Sequence, residues 1–361
     1  MSQSRNAGAA LAVLLTAWAA SAQAHDHGKT LAVTMTNDPT ANAVQVYDAD
    51  SRTLLQTLST HGRGGVDGSA RAVRQADGEI VAVVNNGSNS VAIFRRDGDA
   101  LRFDRLVTTT SAPVSVDFAN AHMYVAGATT VDSFAVRGDS VGPLDGTTSL
   151  ALDGGATPPP GSTAQVQAIG ADQLLVTLKA DPDPGTVDVV SLDDRGRVTG
   201  AVHTVSAPLG SLTPFGFVTY PDGTAVMTLA HSNQDALFRD GAFASVNDAG
   251  QAASCWMTRD GKYIFVANTG SHTISRLIGT GSHVFVDNPV AAIIATGGSP
   301  ADIDATSGVL GVVDHRSGQS HLSLFTYNEF GELAPLGAPI TVGVPNANGV
   351  AVLVRSDRDR N

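Results

Sequence analysis

A single cysteine, Cys255, occurs in the 361 residues. No intrachain disulfide can form, so stability has to come from packing. Cys255 lies in the run Ala253-Ser-Cys-Trp-Met257 with no histidine within ten residues on either side. A buried small hydrophobe is expected there, not a nucleophile. Aromatic residues are scarce at 5%, so any core is mostly aliphatic. Positive charge is also short: 22 Lys and Arg stand against 34 Asp and Glu, a net charge of −12. That balance repels a phosphate backbone and an anionic bilayer, and nucleic acid is not an expected partner. Long apolar runs are missing too. The longest, Ala9 to Ala20, is broken by Thr16 and falls short of the roughly 20 residues needed to span a membrane.

What remains is 42% apolar and 16% charged, enough to fold with a sizeable core and too apolar to stay disordered. With 38 glycines and 16 prolines, turns are frequent, and the composition suits many short strands.

The first 24 residues have the layout of an export signal. Arg5 precedes the apolar run, and Ala22-Gln23-Ala24 supplies the small residues at a cleavage site. No cysteine follows to accept a lipid. The expectation is a periplasmic or secreted chain beginning at His25. Its new N-terminus, His25-Asp26-His27, offers an amine, two backbone amides and an imidazole. That square-planar set suits Cu(II) or Ni(II), so His25 and His27 are candidate metal ligands. No other cofactor is required.

Beyond the leader, one unit recurs. Tyr263-Ile-Phe-Val-Ala-Asn268, a polar turn Thr269-Gly-Ser-His272 and Thr273-Ile-Ser-Arg-Leu277 form one copy. Ile80-Val-Ala-Val-Val-Asn85, Asn86-Gly-Ser-Asn89 and Ser90-Val-Ala-Ile-Phe94 form another. Further copies begin near Leu31, His122, Gln173, Thr224 and Val309, which makes seven units. A third strand precedes the clear pair, as in Ala252 to Thr258, and a fourth follows, as in Pro289 to Thr296. Four antiparallel strands per unit predict an all-β, seven-bladed β-propeller. The chain from residue 31 starts in mid-blade, and Asn348-Gly-Val-Ala-Val-Leu-Val354 supplies the missing inner strand. Pairing of the two ends is expected to close the ring. Residues 25–354 are expected to be one monomeric domain, with 355–361 a polar tail.

Several stretches resemble the lactonase-like, YVTN-type seven-bladed propellers related to 6-phosphogluconolactonase and carboxymuconate cyclase. They are Thr213-Pro-Phe-Gly-Phe217, Gly250 to Trp256 running into Thr258 to Asn268, Gly297-Gly-Ser-Pro-Ala-Asp302 and Asn346-Ala-Asn-Gly349. The resemblance covers nearly all of the chain after the leader. It implies the propeller fold and, for enzymatic members, lactone hydrolysis. Those members carry a histidine-rich inner-strand start and an Asp-Leu-Gly type turn. The matching positions here read Gly161-Ser-Thr-Ala-Gln165 and Lys179-Ala-Asp181, without the histidines.

In such a ring, the starts of the inner strands and the ends of the second strands emerge on one loop-lined face. Asn85, Gly127, Lys179, Ala230, Asn268 and Asp314 are the second-strand ends. Asn85, Asn268, Gln251 and His315 are the candidate ligand-binding residues. For hydrolysis, His231 or Asp314 would act as base and Lys179 or Arg316 as the cation opposite a developing oxyanion. The bland alternative is that Asn and Asp at strand ends cap turns through their own backbone. The remaining histidines have no zinc spacing, and the calcium, phosphate-loop and dinucleotide signatures are incomplete. The leading expectation is binding of a small polar ligand or a protein on the loop face. Lactone hydrolysis and a structural or surface-interaction role are the alternatives.

Overall fold

The computed structural model describes residues 29–151, 161–180, 183–280 and 282–354. The expected leader, His25, His27 and residues 355–361 lie outside them. Seven sheets are formed, each with four strands from the axis outward. Blade 2 runs Val73–Ala76, Ile80–Asn85, Ser90–Asp97 and Ala100–Thr108. Blade 3 runs Pro113–Ala119, His122–Gly127, Thr130–Arg137 and Ser140–Ser149. Blade 4 runs Thr163–Ala168, Gln173–Leu178, Thr186–Leu192 and Val198–Ser206. Blade 5 runs Pro214–Thr219, Ala225–Leu229, Gln234–Arg239 and Ala242–Asp248, and blade 6 runs Ser254–Asp260, Tyr263–Asn268, Thr273–Gly279 and Val284–Ile293. Blade 7 runs Ser299–Thr306, Val309–Arg316, Gln319–Tyr327 and Leu333–Pro335, with Ile340–Thr341 pairing further along its third strand. Every pairing is antiparallel, and each inner strand packs beside the next around the axis.

Blade 1 draws on both ends of the chain. Asn348–Leu353 is its inner strand, and Leu31–Met35, Ala43–Asp48 and Leu54–Ser59 follow outward. Leu31 faces Leu353, Ala32 faces Val352 and Val33 faces Ala351. Thr34 Oγ1 donates to the Gly349 carbonyl at 2.7 Å across the same seam. The expected closure is therefore present.

Why second strands form unbroken apolar runs follows from their place in the ring. Each is covered on both faces by neighbouring blades, so Ile80–Asn85 and Tyr263–Asn268 are buried at every position. Outer strands have one wet face and alternate, as the first six residues of Val284–Ile293 do. One boundary differs from expectation: the outer strand of blade 6 spans Val284–Ile293, not Pro289 to Thr296. Pro289 sits where the register shifts, between the pairs Arg276 to Asn288 and Ile274 to Ala292. A missing N–H is tolerated at such an irregularity on an edge strand, so proline does not start the strand there.

Candidate functional site

The loop face is organised by the connection between blades 1 and 2. Within it Val66, Ser69, Ala70, Arg71 and Ala72 are buried. The Ser69 carbonyl accepts from Trp256 Nε1 of blade 6 at 2.7 Å. The Ala70 amide donates to the Ala164 carbonyl of blade 4 at 3.0 Å, and the Arg71 carbonyl accepts from the Val116 amide of blade 3 at 3.1 Å. The Arg71 amide donates to Asp302 Oδ2 of blade 7 at 3.1 Å, and Ser69 Oγ meets Asn348 Oδ1 of blade 1 at 3.4 Å. A segment that touches the inner strands of five blades can only lie on the axis. It closes the loop-face mouth as a stopper. Arg71 holds a φ of +61° within it, a left-handed turn that the surrounding bonds keep in place.

Beneath the stopper lies a charged cluster. Arg71 Nη1 reaches Asp117 Oδ1 at 3.3 Å, and Arg74 approaches Asp117 at 3.5 Å and Asp304 at 3.6 Å. The carboxylates also take backbone amides: Asp304 from Val352 at 2.9 Å, Asp117 from Ala168 at 3.1 Å and Asp302 from Ile303 at 2.9 Å. Burial pushes the Asp302 carboxyl up to about 8 and also raises Asp304. Burial, then the neighbouring Arg74 cation, lowers the Arg71 guanidinium to about 10. None of these five residues is among the sequence candidates. Their signal is polar residues at every second position of inner strands, Ser115 and Asp117 or Asp302 and Asp304, where an alternating strand turns one face to the axis.

The sequence candidates are spread over the loop face. Lys179 leaves blade 4 and donates to the carbonyls of Asp67 at 2.5 Å and Gly68 at 2.8 Å, holding the stopper. Burial lowers its ammonium pKa, opposed by the Asp67 charge. Asn85 is buried, donates to the Thr60 carbonyl and accepts from Asn42 at 3.0 Å. Asn268 is equally buried: it accepts from Ser254 at 2.7 Å and donates to Thr273 and Ser275. Gln251 Oε1 accepts from Thr273 at 2.7 Å. His231 is exposed in the short 3-10 turn Ala230–Ser232 of blade 5.

Blade 7 brings Asp314 and His321 close together. Asp314 is buried, accepts from Thr296 Oγ1 at 2.5 Å and lies 3.4 Å from His321 Nδ1. Burial raises its carboxyl pKa. Arg316 is exposed, and a side chain at Gly297 would meet its guanidinium. His315 Nε2 lies 2.7 Å from the Ala347 carbonyl.

Cys255 is half-buried, and burial pushes its thiol up to about 11, far from a reactive thiolate. Among the described residues no group of three or more His, Cys, Asp or Glu is placed to hold a metal ion. No helix among them is long and apolar enough to cross a membrane.

Seven four-stranded blades, sealed by one strand from each end of the chain, define a closed β-propeller. Its fold is that of the lactonase-like propellers. The periplasmic gluconolactonase of Pseudomonas aeruginosa superposes with a TM-score of 0.64 and 18% identity, covering 91% of this chain and 99% of that one. A Bacteroides fragilis protein provisionally named a 6-phosphogluconolactonase gives 0.60 and 14% identity, over 90% of this chain and 98% of that one. A catalytically inactive virginiamycin B lyase of Staphylococcus aureus with quinupristin gives 0.54 and 13% identity, over 80% of this chain and 92% of that one. No protein-family model matches the chain, and no curated protein does.

Proposed function

We propose that the chain is an exported propeller of lactonase-like fold that binds a small polar ligand or a protein partner on its loop face. The observation that carries this reading is the stopper. The axial mouth is filled by the chain's own residues 66–72, and Lys179 is bonded to two carbonyls of the same connection. With the mouth taken up by these residues, the axis itself is not left free to enclose a reacting lactone and its water, which supports recognition by the groups around the stopper.

Lactone hydrolysis is the second reading, favoured by the approach of Asp314 and His321 on blade 7, with Arg316 on the same strand as Asp314, beside Gly297. There Asp314 would activate water and Arg316 would face the oxyanion. The fold likeness to a gluconolactonase fits it as well. One experiment separates the two: a ligand-library thermal-shift screen on the mature chain, run beside a lactone turnover panel. Binding is expected to raise the melting temperature without turnover. Turnover that disappears in Asp314→Asn and Arg316→Ala would replace the binding reading with the hydrolytic one.

A further inference from the structure

On the face opposite the stopper, blades 2 and 3 part to leave a cleft of about 540 Å³. Its inner end is Arg74, at the foot of the axis, and its apolar wall includes Ile80, Phe118 and Val136. Asp77 and Glu79 line its rim on the turn that follows the blade 2 inner strand. That turn is well fixed. Asp77 and Gly78 hold φ values of +50° and +75°, the Gly78 amide donates to Gln75 Oε1 at 2.8 Å, and the Glu79 amide donates to the Ala76 carbonyl at 2.9 Å.

The polar groups along this cleft fall into two sets. Some are matched already. Asp139 takes Arg95 Nη1 at 2.6 Å, and the two ring nitrogens of His122 lie 3.0 Å from the Asn120 carbonyl and 3.1 Å from Asp145. Others keep their capacity. Arg74 Nε is buried with no hydrogen-bond partner in the protein. Its approaches to Asp117 and Asp304, at 3.5 and 3.6 Å, hold the guanidinium by charge but are too long for good hydrogen bonds. A guanidinium carries five N–H donors in a planar fork that matches a carboxylate. Asp77 and Glu79 make no ion pair among the described residues, although Asp77 is exposed and Glu79 half-buried.

A fork of donors at one end, an apolar wall and two unpaired carboxylates at the rim form an ordered sequence of demands. We propose that this cleft binds a small amino carboxylate with an apolar body. Its carboxylate lies on Arg74, its hydrocarbon on Phe118 and Ile80, and its ammonium between Asp77 and Glu79. The site stands apart from the loop-face reading, since it lies on the other face of the ring and uses none of its residues.

Calorimetric titration of the mature chain with 5-aminopentanoate and 6-aminohexanoate, against hexanoate and hexylamine, tests it. At least one amino carboxylate is expected to bind about tenfold more tightly than either single-charge probe, the size of one charge-assisted contact. Arg74→Gln is expected to weaken that binding about tenfold or more. Because Arg74 also touches the axial carboxylates, the double variant Asp77→Asn, Glu79→Gln provides a second test on surface positions. It is expected to bring the amino carboxylate down to the affinity of hexanoate. No binding of either amino carboxylate, no preference for them over the single-charge probes, or a preference that survives the rim variant unchanged would each overturn the proposal. A loop-face ligand found in the thermal-shift screen is expected to bind all these variants as it binds the parent chain, so the two readings fail separately.

Discussion

Trp256 Nε1 donates a 2.7 Å hydrogen bond to the carbonyl of Ser69, 187 residues away. It joins the inner strand of blade 6 to the connection between blades 1 and 2. The indole is buried and packs edge-on against Phe215 at 5.3 Å between ring centres. A donor that would otherwise be stranded in an apolar site finds its partner only when the stopper is seated, so the order of the axis and that of the loop face are coupled.

Trp256→Phe keeps most of the apolar body and removes the donor. The Ser69 carbonyl then stays buried without this partner, at a cost of about 1–3 kcal/mol. A lower urea midpoint with an unchanged m-value is the expected result. The only other tryptophan is Trp18, so Trp256→Phe leaves the chain from His25 onward without indole fluorescence, and unfolding of parent and variant is followed by circular dichroism. An unchanged midpoint would mean that the bond contributes nothing to stability.

The difference in legibility between fold and site has a physical origin. Repeat starts at Leu31, Ile80, His122, Gln173, Tyr263 and Val309 coincide with second strands because those strands are buried on both faces and stand out as apolar runs. Closure by Leu31–Met35 and Asn348–Leu353 was readable because each end lacks the strands that the other supplies. The stopper was not. Gly62 to Ala72 is rich in glycine and has no periodicity, and its partners Ala164, Trp256 and Asp302 are distant in the chain. Position at the mouth marks Asn85 and Asn268 in the sequence, and the structure adds that the Asn268 amide joins strands within blade 6 while the Asn85 amide ties blade 2 to Asn42 and Thr60 of blade 1. Asp302 and Asp304 did carry a signal, a two-residue period of acids inside an apolar run, masked by the turn-forming Gly297-Gly-Ser-Pro300 before them.

Asp235 provides a test by pH. It lies in the third strand of blade 5, buried, with Oδ1 lacking a hydrogen-bond partner. Burial, reinforced by the Asp248 charge, pushes its carboxyl up to about 7. Between the ordinary aspartate value near 4 and this raised one, the folded chain keeps a proton that the unfolded chain has released. Folding stability therefore falls as pH rises through that window, by at most about 1.4 kcal/mol per pH unit for one group. Asp302, raised to about 8, adds a contribution of the same sign. Urea unfolding is expected to show greater stability at pH 5 than at pH 8. Asp235→Asn should narrow that difference by about 1–4 kcal/mol, mostly through a gain at pH 8. Equal pH dependence in parent and variant would show that Asp235 ionises normally.

Lys179 decides whether the stopper is held by its own contacts or only carried by the blades around it. Its ammonium reaches the Asp67 and Gly68 carbonyls, immediately before the buried Ser69 to Ala72 run. Lys179→Met retains a long apolar stem and deletes both charge-assisted bonds, while Lys179→Arg can restore a donor. The readout is amide hydrogen exchange at Ala70 and Arg71, whose N–H groups are bonded to the Ala164 carbonyl and Asp302. Exchange of these two amides is expected to quicken about 10- to 100-fold in Lys179→Met, the equivalent of one or two lost bonds, and to return part of the way in Lys179→Arg. The Val266 amide, in the second strand of blade 6, should keep its parent rate because its ladder partner Ser275 is untouched. Acceleration at Ala70 and Val266 alike would indicate global destabilisation, and no acceleration at either would leave Trp256 and Asp302 as sufficient anchors. Only the selective result makes Lys179 the clamp of an axial stopper, a role that removes its ammonium from any reaction on the loop face.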